Sequence, residues 1–233
     1  MNDKAVLAHG AASSADFVRR AFAQPLAAVG VDLVTWDRRT PVAEAAAEFA
    51  ALVERSDATI VGGVSVGAIL ATNFALTAAG VGLRGLLVAM PPPIPGSQGS
   101  PRLHDEDAES ARWDVDALIE QVVRDAVPWV GAEIRRAWPE YDAAQLRREL
   151  VTAASAMPPS YGALAQCTVT TGVVALGDDP VHPVEVAEQW ARHLPHAALE
   201  TLRLEAPADD VSVIGAAAVS AWKRASNAVS GSR

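Results

Sequence analysis

The sequence predicts an α/β fold, a mostly parallel central sheet with helices on both faces and a helical segment inserted into it. Apolar strand-like runs alternate with helical stretches from the first residues onward, as strand–helix–strand units require. Residues 58–83 carry no charge, which suits elements buried on both faces of a parallel sheet. Between residues 91 and 165 the alternation stops and charges become frequent, so this stretch reads as a helical cap inserted into a core of residues 1–90 and 166–233.

The elements follow from local pattern. Residues 4–8 predict a strand that stops at His9 and Gly10, and residues 14–23 a helix with Phe17, Val18 and Phe22 on one face. Residues 31–36 form the next strand, 42–55 an alanine-rich helix, 58–64 a buried strand and 66–79 an Ala- and Leu-rich helix. A strand over 83–89 ends at three consecutive prolines, Pro91, Pro92 and Pro93, which cannot donate to a sheet. Within the cap, residues 94–110 predict a polar loop, and Val115, Leu118, Ile119 and Val122 recur at helical spacing. Strand pattern returns at 168–176. A helix over 183–194 has Pro183 and Glu185 early and Arg192 and His193 late, as helix polarity favours. Residues 198–204 predict the last strand, 211–225 the closing helix and 226–233 a frayed polar tail.

Composition bounds the function. The chain has 233 residues, half of them apolar, enough for one compact domain with a large core. A net charge of -9 and no basic run longer than two residues argue against a nucleic-acid surface, which needs clustered cations to displace counterions. The uncharged block includes five glycines and Asn73, so burial in a sheet accounts for it better than a membrane span. The single cysteine, Cys167, rules out an intramolecular disulfide and reads as a small buried hydrophobe. No long apolar leader follows Met1, so a cytoplasmic location is expected. The acidic residues Asp105, Glu106, Asp107 and Glu109 read as a solvated loop, and neither a metal nor a cofactor is expected. The expected partner is a small molecule.

The chemistry concentrates at Gly63-Val64-Ser65-Val66-Gly67, a G-x-S-x-G between a strand pattern and a helix pattern. Such a nucleophile elbow needs a turn so sharp that the serine backbone is strained, with no bulky side chain two positions before or after it. Together with His9-Gly10-Ala11 after the first strand, the inserted cap, and Gly177-Asp178-Asp179-Pro180 after the next strand, this chain resembles the α/β-hydrolase fold family. The likeness covers nearly everything outside the cap. It implies Ser65 as nucleophile, an oxyanion hole from the N–H groups of Val66 and Ala11, and a triad acid at Asp179 or Asp178. The resemblance favours Asp179, because the family usually places the carboxylate directly before a run such as Pro180-Val181-His182-Pro183. The same two aspartates could instead start a turn and help cap the following helix.

One departure from the family pattern stands out. The family places its triad histidine in the loop after the last strand, and that loop here reads Glu205-Ala206-Pro207-Ala208-Asp209-Asp210. A serine hydroxyl needs a base to take its proton, and an aspartate of ordinary pKa is too weak. His9 is expected to brace the oxyanion loop, His104 to be solvated, and His193 and His196 to lie far from the site. His182 alone falls on a loop bordering the serine, either as base or as a local brace of the acid loop. Trp113, Trp129 and Trp138, half of the six tryptophans, lie in the cap, where they line a pocket for an apolar acyl group or form the cap's own core. The leading expectation is a serine hydrolase of the carboxylic-ester type, acting on an ester, thioester or lactone with an apolar acyl part. The alternatives are a degenerate relative that binds a small molecule, and a lyase- or cyclase-type enzyme that uses only the oxyanion hole.

Overall fold

The computed structural model describes residues 2–38, 40–41, 44–93 and 114–231. The expected loop over 94–110, with His104 and the acidic cluster at 105, 106, 107 and 109, lies outside these residues, as do Trp113 and the predicted helix start at residues 42–43.

Six strands make one sheet: β1 (Asp3–Ala8), β2 (Val31–Thr35), β3 (Ile60–Val64), β4 (Gly85–Ala89), β5 (Thr171–Gly177) and β6 (Ala197–Arg203). Every pair is parallel, and the order across the sheet is β2-β1-β3-β4-β5-β6. The chain steps from β1 to one neighbour, then crosses back to lay β3 on the other side of β1. That reversal is a topological switch point, outside whose carboxyl ends a crevice opens because the flanking connections leave in opposite directions.

Alternation along the strands divides the core into two layers. Val6 and Ala8 of β1, Val61 of β3, Val88 of β4 and Val173 of β5 face α2 (Ala46–Ser56), α3 (Val66–Ala75) and α8 (Val184–His193), where Phe49, Ile69 and Trp190 are packed. Ala5, Leu7, Ile60, Leu87 and Val174 face α1 (Ala15–Ala27) and α9 (Ser212–Gly231), meeting Phe22, Leu26, Ile214 and Trp222. Each Val, Leu, Ile or Phe among them, fully withdrawn from water, contributes about 1.5–3 kcal/mol before entropy is counted.

Between β4 and β5 lie α4 (Val115–Asp125), α5 (Pro128–Ala137), α6 (Ala143–Ser155) and the short α7 (Tyr161–Leu164). Their starts are written in the sequence. The Asp114 side chain accepts the amides of Asp116 and Ala117, Pro128 opens α5, and Asp142 and Gln145 form a reciprocal capping box. A third apolar cluster, Ile119, Ala137, Trp138, Tyr141 and Leu146, forms among these helices, and it takes in Ala12 from the loop after β1.

Several boundaries differ from expectation. The α3 helix ends at Ala75 rather than 79, with a single 3-10 turn at Ala78–Gly80. The closing helix runs on to Gly231 through the expected tail, since extending a docked helix adds one bond per residue and needs no new nucleus.

Candidate active site

Ser65 sits between β3 and α3 with φ 53° and ψ -122°, a backbone conformation rare for any residue with a side chain. Two glycines permit it. A Cβ on Gly63 would stand 2.3 Å from the backbone of Gly67, and one on Gly67 would stand 2.3 Å from the Ala8 carbonyl oxygen. The Ser65 amide donates to the Ala89 carbonyl at 2.9 Å, and its own carbonyl accepts from Ala68 at 2.8 Å. The turn is thus tied to β4 on one side and to its helix on the other.

Strain is not confined to this turn. Among the described residues, Ala12, Ser65, Met90 and Asp178 have φ values of 50°, 53°, 50° and 61°, following β1, β3, β4 and β5 respectively. These four strands are contiguous in the sheet. Non-glycine residues in such conformations cost on the order of 1–3 kcal/mol each and gather where a site must be held in a set shape.

Three polar side chains meet at this edge. His182 Nε2 lies 2.8 Å from Ser65 Oγ, and its Nδ1 lies 3.1 Å from Asp179 Oδ2. A carboxylate can only accept, so Nδ1 carries the proton and Nε2 presents a lone pair to the serine hydroxyl. The other carboxylate oxygen, Oδ1, accepts the amides of Val181 and His182 at 2.8 and 3.1 Å. Burial by itself raises the Asp179 carboxyl. The hydrogen bond from the His182 ring and its electrostatic attraction, with those two amides, outweigh it and hold the group below its ordinary value. Asp179 therefore both makes the turn and orients the ring, while the neighbouring Asp178 is exposed.

The other candidates take structural places. His9 is fully buried and its Nδ1 donates to the Gly10 carbonyl at 2.8 Å. Burial, then the nearby Arg38 charge, push its pKa down to about 4. Its Nε2 has no hydrogen-bond partner among the described residues. The His193 Nδ1 donates to the Gln189 carbonyl, and its ring stacks on Tyr161 at 4.2 Å. In the loop after β6, Asp210 caps α9 by accepting from the amide and hydroxyl of Ser212. Cys167 is buried in the first core layer.

Of the cap tryptophans, Trp138 belongs to the apolar cluster of the inserted helices. Trp129 packs on the second core layer and donates its Nε1 to the Leu204 carbonyl at 2.7 Å. Both take part in packing, as the reading of these residues as core expects. A surface concavity lined by Asp116, Ile119, Glu120, Arg135 and Pro139 includes none of the three residues at the strand ends. No group of three His, Cys, Asp or Glu able to hold a metal occurs among the described residues. Nor is any described helix long and apolar enough to cross a membrane.

Of the residues expected to form the oxyanion hole, Val66 opens α3, where first-turn amides lack helical acceptors. Ala11 follows Gly10, and a Cβ added to Gly10 would lie 3.4 Å from Ser65 Cβ, so the loop after β1 runs beside the serine. Sequence reasoning missed Arg38, which is fully buried and forks onto Glu149 of α6 with N–O distances of 2.8 and 2.9 Å. A charged pair in sequence gives no sign of burial when its members stand 111 positions apart.

No family model matches the chain, and no curated protein matches it in sequence. Solved structures do. A hydrolase from Pseudomonas aeruginosa aligns with TM-score 0.69 at 15% identity, covering 94% of this chain and 89% of its own. An esterase from Rhodococcus gives 0.66 at 17% identity, covering 91% and 89%. An alpha/beta hydrolase from Sphaerobacter thermophilus gives 0.62 at 21%, covering 94% and 91%.

Proposed function

The chain has the α/β-hydrolase fold, and on that fold we propose that it is a serine hydrolase with Ser65 as nucleophile, His182 as base and Asp179 as the acid that orients it. The observation that carries this reading is the 2.8 Å contact between His182 Nε2 and Ser65 Oγ, on a ring whose other nitrogen faces a carboxylate. Nucleophile, base and orienting acid within hydrogen-bond reach are what activation of a serine hydroxyl requires. The base comes from the turn after β5, three residues beyond the acid, in place of the loop after the last strand.

The steps follow from the geometry. As Ser65 Oγ bonds to the substrate carbonyl carbon, its proton passes to His182 Nε2, and the Asp179 carboxylate stabilises the resulting imidazolium. The carbonyl oxygen gains the negative charge, and the amides of Val66 and Ala11 receive it, a service typically worth several kcal/mol. His182 then gives the proton to the departing alkoxide or thiolate, leaving an acyl-serine. Water repeats the sequence, losing a proton to His182 as it attacks, and the acid is released as Ser65 recovers its proton. The substrate is an ester, thioester or lactone. Its apolar acyl part is supported by Val181, which is 54% exposed directly beside the base.

A fluorophosphonate probe tests the proposal. It should label the wild type at Ser65, fail with Ser65→Ala, and react at least about a thousandfold more slowly with His182→Ala, in line with losses on removing triad members. An unlabelled wild type, under conditions that label an ordinary esterase, would refute the reading. Hydrolysis of nitrophenyl esters of increasing acyl length then checks the apolar preference.

A further inference from the structure

Residues 10–13, the loop that borders the serine, are held from the far side by the inserted helices through three separate contacts. The first is electrostatic. Arg38, on the segment after β2, forks onto Glu149 of α6, and the same guanidinium donates through Nη2 to the Gly10 carbonyl at 3.4 Å. That carbonyl also accepts from the His9 ring at 2.8 Å and the Ser13 amide at 3.4 Å. The second is apolar. Ala12, at φ 50° and 3% exposed, buries its methyl group in the cluster of Trp138, Tyr141 and Leu146. The third is a hydrogen bond from the Tyr141 hydroxyl to the Ser13 carbonyl at 2.6 Å.

These contacts share one target. A loop with a strained residue at its centre does not keep its shape unaided, and these three grips come chiefly from α6, the turn before it, and a charge that α6 neutralises. We infer that Tyr141 and Glu149 are positioning residues, which hold residues 10–13 against Ser65 so that the inserted helices build the oxyanion side of the site. The inference rests on the reading of Ser65 as nucleophile. Glu149 acts through Arg38, and neither it nor Tyr141 touches the reacting atoms. Uncompensated, the buried guanidinium would seek water and release the Gly10 carbonyl.

The test uses the full chain and two readouts. Tyr141→Phe removes one hydrogen bond, and the double variant Arg38→Met with Glu149→Leu removes both buried charges at once, a change that cores tolerate. Trp129→Phe serves as control, since it cuts another attachment of the same helices, the bond to Leu204. Amide exchange at residues 10–13 should speed up about five- to tenfold in Tyr141→Phe, the loss of one hydrogen bond, with β5 unchanged. In the double variant it should rise further. Ester turnover should fall by similar factors in kcat with KM unchanged, because no substrate contact is lost. Trp129→Phe should alter neither. The inference is overturned if exchange at residues 10–13 matches wild type in both variants, or if Trp129→Phe loosens the loop equally. A wild type whose Ser65 resists the probe would sink the proposed function instead, and the exchange readout would still judge the coupling.

Discussion

The two carboxylate oxygens of Asp179 have different partners, and on the proposed reading this division lets one four-residue turn supply both the acid and the base. Oδ1 folds the turn by accepting two amides, and Oδ2 takes the His182 ring. The turn-forming contacts are present in this side chain, and its contact with the His182 ring is the one the proposed role as orienting acid rests on. Asp179→Asn should keep much of the turn, because the amide oxygen can still accept from Val181 and His182. If its nitrogen faces the ring, it donates to Nδ1, forces the proton onto Nε2 and removes the lone pair from the serine. Turnover should then fall by about four orders of magnitude, as tautomer errors in serine triads do, with the folded state retained. Circular dichroism and steady-state kinetics check the two halves of that statement; a loss under tenfold would contradict the assigned role.

At the scale of elements, the elbow is an agreement between a strand, a turn and a helix that only glycine permits at two places. Gly67→Ala puts a methyl group 2.3 Å from the Ala8 carbonyl, in the middle of the sheet, where no flexible atom can yield. Overpacking of this kind costs typically about 1–3 kcal/mol or more, so the urea midpoint should drop clearly; a variant as stable as wild type would show that the backbone can slide. The strands and the elbow were legible in the sequence because apolar runs and glycine spacing are local signals. Helix ends were less so, since α3 stops before its apolar run does and α9 propagates past its own into the polar tail. The proposed base is only half legible: the order of elements puts His182 beside the site, yet 117 positions separate it from Ser65 and no periodicity encodes a 2.8 Å contact. Arg38, Glu149 and Tyr141 were not legible at all. Their roles exist only once the inserted helices lie against the loop after β1.

For the whole molecule, the buried ionisable groups set the acid limit. His9 has a native pKa near 4 against 6.5 for the exposed ring, so the native state excludes a proton that the unfolded chain binds. Its contribution is complete above 6.5 and is lost as pH falls towards about 4, amounting to about 3 kcal/mol over that interval. Asp179 adds a term of the same sign at lower pH, present above the ordinary carboxylate range and lost as the medium acidifies through its lowered value. Urea unfolding measured from pH 7 to 4 should therefore show declining stability, and His9→Asn, which can still donate to the Gly10 carbonyl, should flatten that decline. An equal slope in the variant would assign the acid sensitivity to other groups.

The short spacing between Asp179 and His182 has a mechanical corollary. On the proposed reading acid and base ride on the same few peptide units, so when that stretch swings they travel as one body and their mutual alignment survives. Only the gap to the hydroxyl remains to be regulated. On the proposed mechanism, competence then depends on a single variable span, and the loop after β6 carries none of the three groups.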